Sequence, residues 1–111
     1  MPKDLAVSQL LDVYGELLGE KQRLLCELYF DEDLSLSEIS ENEGITRQGV
    51  RDAIMRAQQQ LHTFEEKLGI IKKTEALRKE AEKVREGGES ARLLEMIEQF
   101  LDSHKSHYEG K

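Results

Sequence analysis

Tryptophan is absent from these 111 residues, cysteine and proline occur once each, and three tyrosines with three phenylalanines make up the aromatic complement. The one proline stands at position 2, so no helix interior is interrupted by proline. β-Branched residues are few, whereas Leu, Glu, Lys and Gln abound, and strong helix formers in that proportion predict an all-α fold. The length suits one domain, or a compact domain with an appendage. Apolar runs extend for only a few residues, too short for a membrane span. The N-terminus has no charged-then-apolar signal segment. Cys26 lies alone in an apolar run, without a second cysteine to pair or resolve it, and reads as a buried thiol of a reducing compartment. The expectation is a cytoplasmic protein with no membrane partner.

Basic charge is the other shortage. Sixteen Lys and Arg face twenty-three Asp and Glu, a net charge of −7, whereas a free-standing DNA reader is ordinarily basic. The deficit is uneven. Residues 19–45 set eight acids against Lys21 and Arg23, a net of −6; residues 46–61 set Arg47, Arg51 and Arg56 against Asp52, a net of +2. That stretch is a basic island beside an acidic segment, Asp31-Glu32-Asp33.

Catalytic chemistry is missing as well. No nucleophile–base–acid set is visible, no glycine pattern cradles a phosphate, and the carboxylates sit on polar helix faces. His104 and His107 are three apart in a polar tail with no third ligand indicated, which falls short of a metal site. His62 falls on the outer face of a helix. No enzyme, cofactor or metal is expected.

What is present centres on residues 35–57. Ser35 and Glu38 fit the capping box S-x-x-E that opens a helix. Ile39 gives this short helix its apolar contact, and Ser40 is small enough for another helix to approach. Gly44 stands where the chain turns, Ile45 plugs the angle, and Thr46 caps the next helix. Val50 and Ile54 face inward, leaving Gln48, Arg51, Asp52 and Met55 outward. This is the helix-turn-helix pattern, whose second helix offers its N-terminal residues to a major groove. Plain helical hairpins share the bare pattern; Thr46-Arg47-Gln48 with Arg51 one turn on favours a reader of base edges and phosphates.

The remaining chain reads as further helices. Val7, Leu10, Leu11, Tyr14, Leu17 and Leu18 form one stripe over residues 4–18. Leu24, Leu25, Leu28 and Tyr29 face inward over 20–30, and Asp31–Asp33 reads as a solvated loop. Val50, Ile54, Ala57, Leu61, Phe64 and Leu68 make a heptad-like seam that Gly69 ends. Either residues 70–104 fold back over its distal half, or the seam is a dimer contact, and both can hold. A new helix is expected from Thr74, with Leu77, Ala81 and Val84 on one face. Gly87-Gly88 is a break, and Leu93, Leu94, Ile97, Phe100 and Leu101 mark a last helix over 90–103. The expected organisation is a helix-turn-helix domain over 1–68 with a helical extension over 69–111.

Residues 20–61 resemble region 4 of bacterial sigma-70-type factors, through Lys21-Gln-Arg23, Leu28-Tyr-Phe30, Leu34-Ser-Leu-Ser-Glu-Ile39, Gly44-Ile-Thr-Arg47, Val50-Arg51 and Arg56-Ala57. Residues 8–68 are similar to the YlxM family of small bacterial helix-turn-helix proteins, through Tyr14-Gly-Glu-Leu-Leu-Gly-Glu-Lys-Gln-Arg23, Glu27-Leu-Tyr29, Ser35-Leu-Ser-Glu-Ile39, Gly44-Ile-Thr-Arg-Gln48 with Val50, and Leu61–Leu68 ending Phe64-Glu-Glu-Lys-Leu68. The chain departs from the pattern at Ser40, Glu43 and Gly49. The resemblance implies a cytoplasmic bacterial protein encoded near the signal recognition particle GTPase and acting in, or regulating, that targeting pathway.

Two functions follow. In one, a regulatory protein binds nucleic acid, DNA ahead of RNA, through Thr46, Arg47, Gln48 and Arg51, with Lys21, Arg23 and Arg56 on phosphates, and acts as a homodimer. In the other, an adaptor of the same fold contacts the signal recognition particle RNA or GTPase without binding DNA, its acidic Asp31, Glu32 and Asp33 meeting a basic partner.

Overall fold

The computed structural model describes residues 3–109, without the side chains of Leu5 and of residues 104–109; the His104–His107 pair lies outside the described side chains. Among the described residues six α-helices follow one another: α1 (Leu5–Tyr14), α2 (Glu20–Cys26), α3 (Leu36–Glu43), α4 (Arg47–Leu68), α5 (Ile70–Arg85) and α6 (Ala91–Glu109). The described residues contain no strand, so the fold is all-α. Two compact units divide the chain, Met1–Ile71 and Lys72–Lys111.

In the first unit the Asp4 carboxylate accepts the Ala6 amide and opens α1. Val7, Leu10, Leu11 and Tyr14 are buried along it, as their spacing predicts. The stripe does not continue through Leu17. A 3-10 turn at Gly15–Leu17 tightens the winding and shifts the phase, so Leu18 is buried and Leu17 is 59% exposed. A π-helical turn, Glu27–Asp31, prolongs α2, so Asp31 belongs to helix rather than to loop. The buried face centres on Leu25, Cys26 and Tyr29, which leaves Leu24 at its edge and partly exposed. Phe30 packs edge-on against Tyr29 and touches both halves of the core.

Helix α4 is the spine of this unit. Val50 and Ile54 close one cluster with Leu25, Tyr29 and Ile39; Ala57 and Leu61 close a second with Val7, Leu10, Leu11, Tyr14, Leu18 and Cys26. The seam is therefore covered from within the unit, by α2 and α3 at Val50 and Ile54 and chiefly by α1 at Ala57 and Leu61, and its buried half is not available as a dimer contact. Phe64 packs on this second cluster, its ring centroid 6.0 Å from that of Tyr14, while Leu68 at the end is 46% exposed. Of residues 70–104, expected to fold back over the distal half, Ile71 packs on this second cluster, as Phe64 does. The α1 stripe, read in isolation, carried no sign of which seam it would meet.

Helix α5 begins four residues before the expected Thr74. Gly69 adopts a left-handed conformation, φ 61°, and its amide closes on Glu65 O. The orphan amides that open α5 then find partners in the tertiary fold. Ile70 N–H donates to the Tyr14 hydroxyl at 3.2 Å, Ile71 N–H donates to Glu65 Oε1 at 3.1 Å, and the Tyr14 O–H donates to the same carboxylate. No local motif announces such a cap.

In the second unit α5 and α6 form a hairpin, with Leu77, Ala81 and Val84 half-buried on one helix and Leu93 and Met96 on the other. Among its described residues none is buried. An open groove of about 300 Å³ runs between Leu77, Met96 and Phe100, and Lys73 Nζ lies 5.9 Å from the Phe100 ring centroid.

Candidate nucleic-acid interface

The turn between α3 and α4 is built from local bonds. Ser35 Oγ accepts the Glu38 amide at 3.0 Å and the Glu38 carboxylate accepts the Ser35 amide at 2.9 Å, so the capping box is complete. The Ser35 backbone and side-chain bonds hold the Glu38 carboxyl below the usual carboxylate range. Gly44 takes φ 69° to end α3, a conformation costly to any residue with a Cβ. The three departures from the family pattern each have a role. Ser40 Oγ donates across the turn to Ile45 O at 2.6 Å. Glu43 accepts from Lys21 Nζ at 3.2 Å and ties α2 to the turn. Gly49 allows Thr46 to cap α4 closely: Gly49 N–H donates to Thr46 Oγ1 at 2.9 Å, and a Cβ at residue 49 would lie 3.0 Å from that oxygen.

The candidate residues then fall into three groups. Arg47 and Gln48 open α4 and are exposed, and Arg51 follows one turn on, half-exposed. Their local counter-charge is Asp52, which accepts from Gln48 Nε2 at 2.9 Å and stands 4.0 Å from Arg51. Among the described residues Arg47 has no acidic group within 4 Å. Thr46 spends one oxygen lone pair on its cap and keeps a hydroxyl proton to donate. Arg56 is a second group by itself. Nine residues beyond Arg47, it stands roughly 13 Å further along the axis, beside Gln59, Gln60 and Thr63. Lys21 and Arg23 form the third group, on α2, and each is already ion-paired: Lys21 to Glu43, and Arg23 Nε to Glu27 at 3.3 Å.

The acidic segment is divided too. Asp31 and Glu32 are exposed. Asp33 takes φ 61°, tolerable for a short polar side chain, and pairs with Lys3 Nζ at 2.7 Å; that bond and charge hold its carboxyl below the usual range. Lys3 was not among the expected site residues. It also donates to Leu34 O at 3.3 Å, lies 4.3 Å from the Tyr29 ring centroid, and shares with Arg47 an open groove of about 330 Å³ beside Ser37 and Glu38. A lone lysine far upstream of an acidic turn gives no sequence signal of this. Among the described residues no three His, Cys, Asp or Glu cluster to hold a metal, and no helix is long and apolar enough to cross a membrane.

With this geometry in place, the family is decided by comparison. Residues 1–102 match the model of the UPF0122 family, described as "Putative helix-turn-helix protein, YlxM / p13 like". The chain belongs to this family. A UPF0122 protein of Caldanaerobacter subterraneus is 49% identical over 82 residues, covering 74% of this chain and 70% of that protein. A UPF0122 protein of Thermoanaerobacter is 42% identical over 97 residues, 87% of this chain and 83% of that protein. One from Clostridium perfringens is 41% identical over 97 residues, 86% and 87% respectively. The helix-turn-helix character of the family points to nucleic-acid binding and to a non-enzymatic role.

Proposed function

We propose that this UPF0122 protein is a regulatory protein that binds duplex DNA with the first two turns of α4, as a homodimer in the cytoplasm, in connection with the signal recognition particle pathway. The observation that carries this reading is the pairing of a fully formed turn with an exposed Arg47–Gln48–Arg51 surface at the open end of α4. Arg47 and Gln48 suit base edges, since Arg pairs with guanine and Gln with adenine in the major groove. Thr46 donates its hydroxyl proton to a phosphate, and Arg51 and Arg56 neutralise further phosphates along the helix. Lys21 and Arg23 reach phosphates only by giving up Glu43 and Glu27, so their contribution is smaller than that of the arginines of α4. The test is fluorescence anisotropy with three labelled probes: promoter DNA of the protein's own operon, a random duplex, and signal recognition particle RNA.

A second reading is favoured by one observation, the exposure of Asp31 and Glu32 on a chain of net charge −7. In it the same fold serves as an adaptor that contacts a basic surface of the particle, its RNA or GTPase, without binding DNA. Asp33, held by Lys3, is the least available of the three acids. Changing Asp31→Asn and Glu32→Gln together then lowers retention of the particle and flattens its salt dependence. Unchanged retention in a pull-down removes this reading and leaves the segment a solvated turn.

A further inference from the structure

The second unit raises a physical problem. Its helices run 16 and 19 residues, about 24 and 28 Å, yet among its described residues no side chain is buried. A unit of this size without a core is not held together by hydrophobic burial within one chain. Its apolar residues are nevertheless patterned. Leu94, Ile97 and Leu101, 57%, 40% and 61% exposed, follow one another at heptad spacing on the outside of α6. Beside that stripe lie the exposed acids Glu98 and Asp102. Helix α5 is net basic, six Lys and Arg against Glu75, Glu80 and Glu82, with Lys79 and Lys83 on an exposed side that also carries Glu75 and Glu82; Lys83 touches Glu80 at 3.4 Å.

We infer that the occupant of this face is a second copy of the chain, and that two α5–α6 hairpins pair about a two-fold axis into a four-helix bundle. The charges choose the occupant. A two-fold axis brings each acidic α6 against the basic α5 of the other copy, so the attraction is satisfied twice over. The stripe Leu94–Ile97–Leu101 of each copy is then covered by the other hairpin, and helices of this length can bury the area that a specific dimer needs. This replaces the α4 seam as the dimer contact, since that seam is filled within the first unit. The inference deepens the dimeric part of the proposed function. Its test reads mass alone, so it stands or falls separately from nucleic-acid binding.

The full chain is followed by sedimentation equilibrium over a concentration series. The wild-type chain is expected at twice its monomer mass at the upper end, and Ile97→Glu, which sets two carboxylates into the apolar stripe, at the monomer mass throughout. Two charge-reversed chains carry the sharper test. One bears Glu98→Lys and Asp102→Lys, the other Lys79→Glu and Lys83→Glu, all at exposed positions. Each alone is expected as a monomer, and an equimolar mixture is expected as a heterodimer, because only across chains do opposite charges meet. Attraction within one chain cannot produce that recovery. Cys26 reports that the first unit of each variant is folded by staying unreactive to a thiol reagent, and far-UV circular dichroism reports that α5 and α6 keep their helices. A wild-type chain that is monomeric at every concentration, a dimer that persists in Ile97→Glu, or a mixture that stays monomeric overturns the inference.

Discussion

Tyr14 shows how much one side chain can decide. Its hydroxyl accepts from Ile70, donates to Glu65, and sits among Leu11, Leu61 and Phe64. Burial, then the Glu65 hydrogen bond, raises its pKa above the ordinary tyrosine value. A raised pKa means that its contribution is complete below pH 10 and is lost as the pH climbs through the higher folded value. Tyr14→Phe keeps the ring and removes the hydroxyl, taking the acceptor from the Ile70 amide and one of its donors from the Glu65 carboxylate, which keeps the Ile71 amide. We predict a loss of about 1–3 kcal/mol in urea unfolding; a loss below a few tenths would show that water replaces the hydroxyl. The apolar stripe announced that Tyr14 is buried. Nothing announced the hydroxyl's task, because its partners lie 51 and 56 residues away in sequence. The burial of Cys26 was legible, and it pushes the thiol up to about 12, the state of a structural rather than reactive cysteine.

At the scale of elements, the helix-turn-helix is where sequence and structure agree most closely, because its determinants are local. Ser35 with Glu38, Gly44, and Thr46 with Gly49 each act within five residues, so a reader of the sequence can place them. Elsewhere boundaries were misplaced: Leu17 is turned outward by a 3-10 turn, Asp31 is drawn into a π-turn, and α5, capped by the distant Tyr14 together with Glu65, starts at Ile70. The capping box yields a prediction. Glu38 and Asp33 both have lowered carboxyl pKa values, so what they contribute is complete above the ordinary carboxylate range and is lost as the pH falls through their lowered values. Unfolding midpoints should therefore drop on acidification. Glu38→Gln, whose amide oxygen still accepts the Ser35 amide without titrating, should show a shallower acid slope than the wild type. Ser35→Ala should cost about 1 kcal/mol at neutral pH. An acid slope unchanged by Glu38→Gln would mean that other carboxylates control it.

The whole molecule consists of two units of unequal order. The first has a filled core with α4 as its spine; the second has no buried side chain among its described residues. Native-state hydrogen exchange should separate them, with amides of α4 between Val50 and Leu61 among the slowest and those of α6 fast at concentrations too low for assembly. Uniform protection across both would contradict this division. Charge belongs to this scale too. With Arg51 and Arg56 of each copy on phosphates, four in the dimer, the dependence of log affinity on log salt should have a slope of about −4, since each neutralised phosphate contributes about −0.9. The central claim, that the open end of α4 reads DNA, is met most directly by anisotropy of the wild-type protein and Arg47→Ala on the operon promoter, at low and physiological salt, beside random duplex and particle RNA. The account predicts preference for the operon sequence that survives physiological salt, and a loss of about 1–3 kcal/mol with relaxed base preference in Arg47→Ala. Absence of DNA binding, or an affinity that Arg47→Ala leaves unchanged, would contradict it.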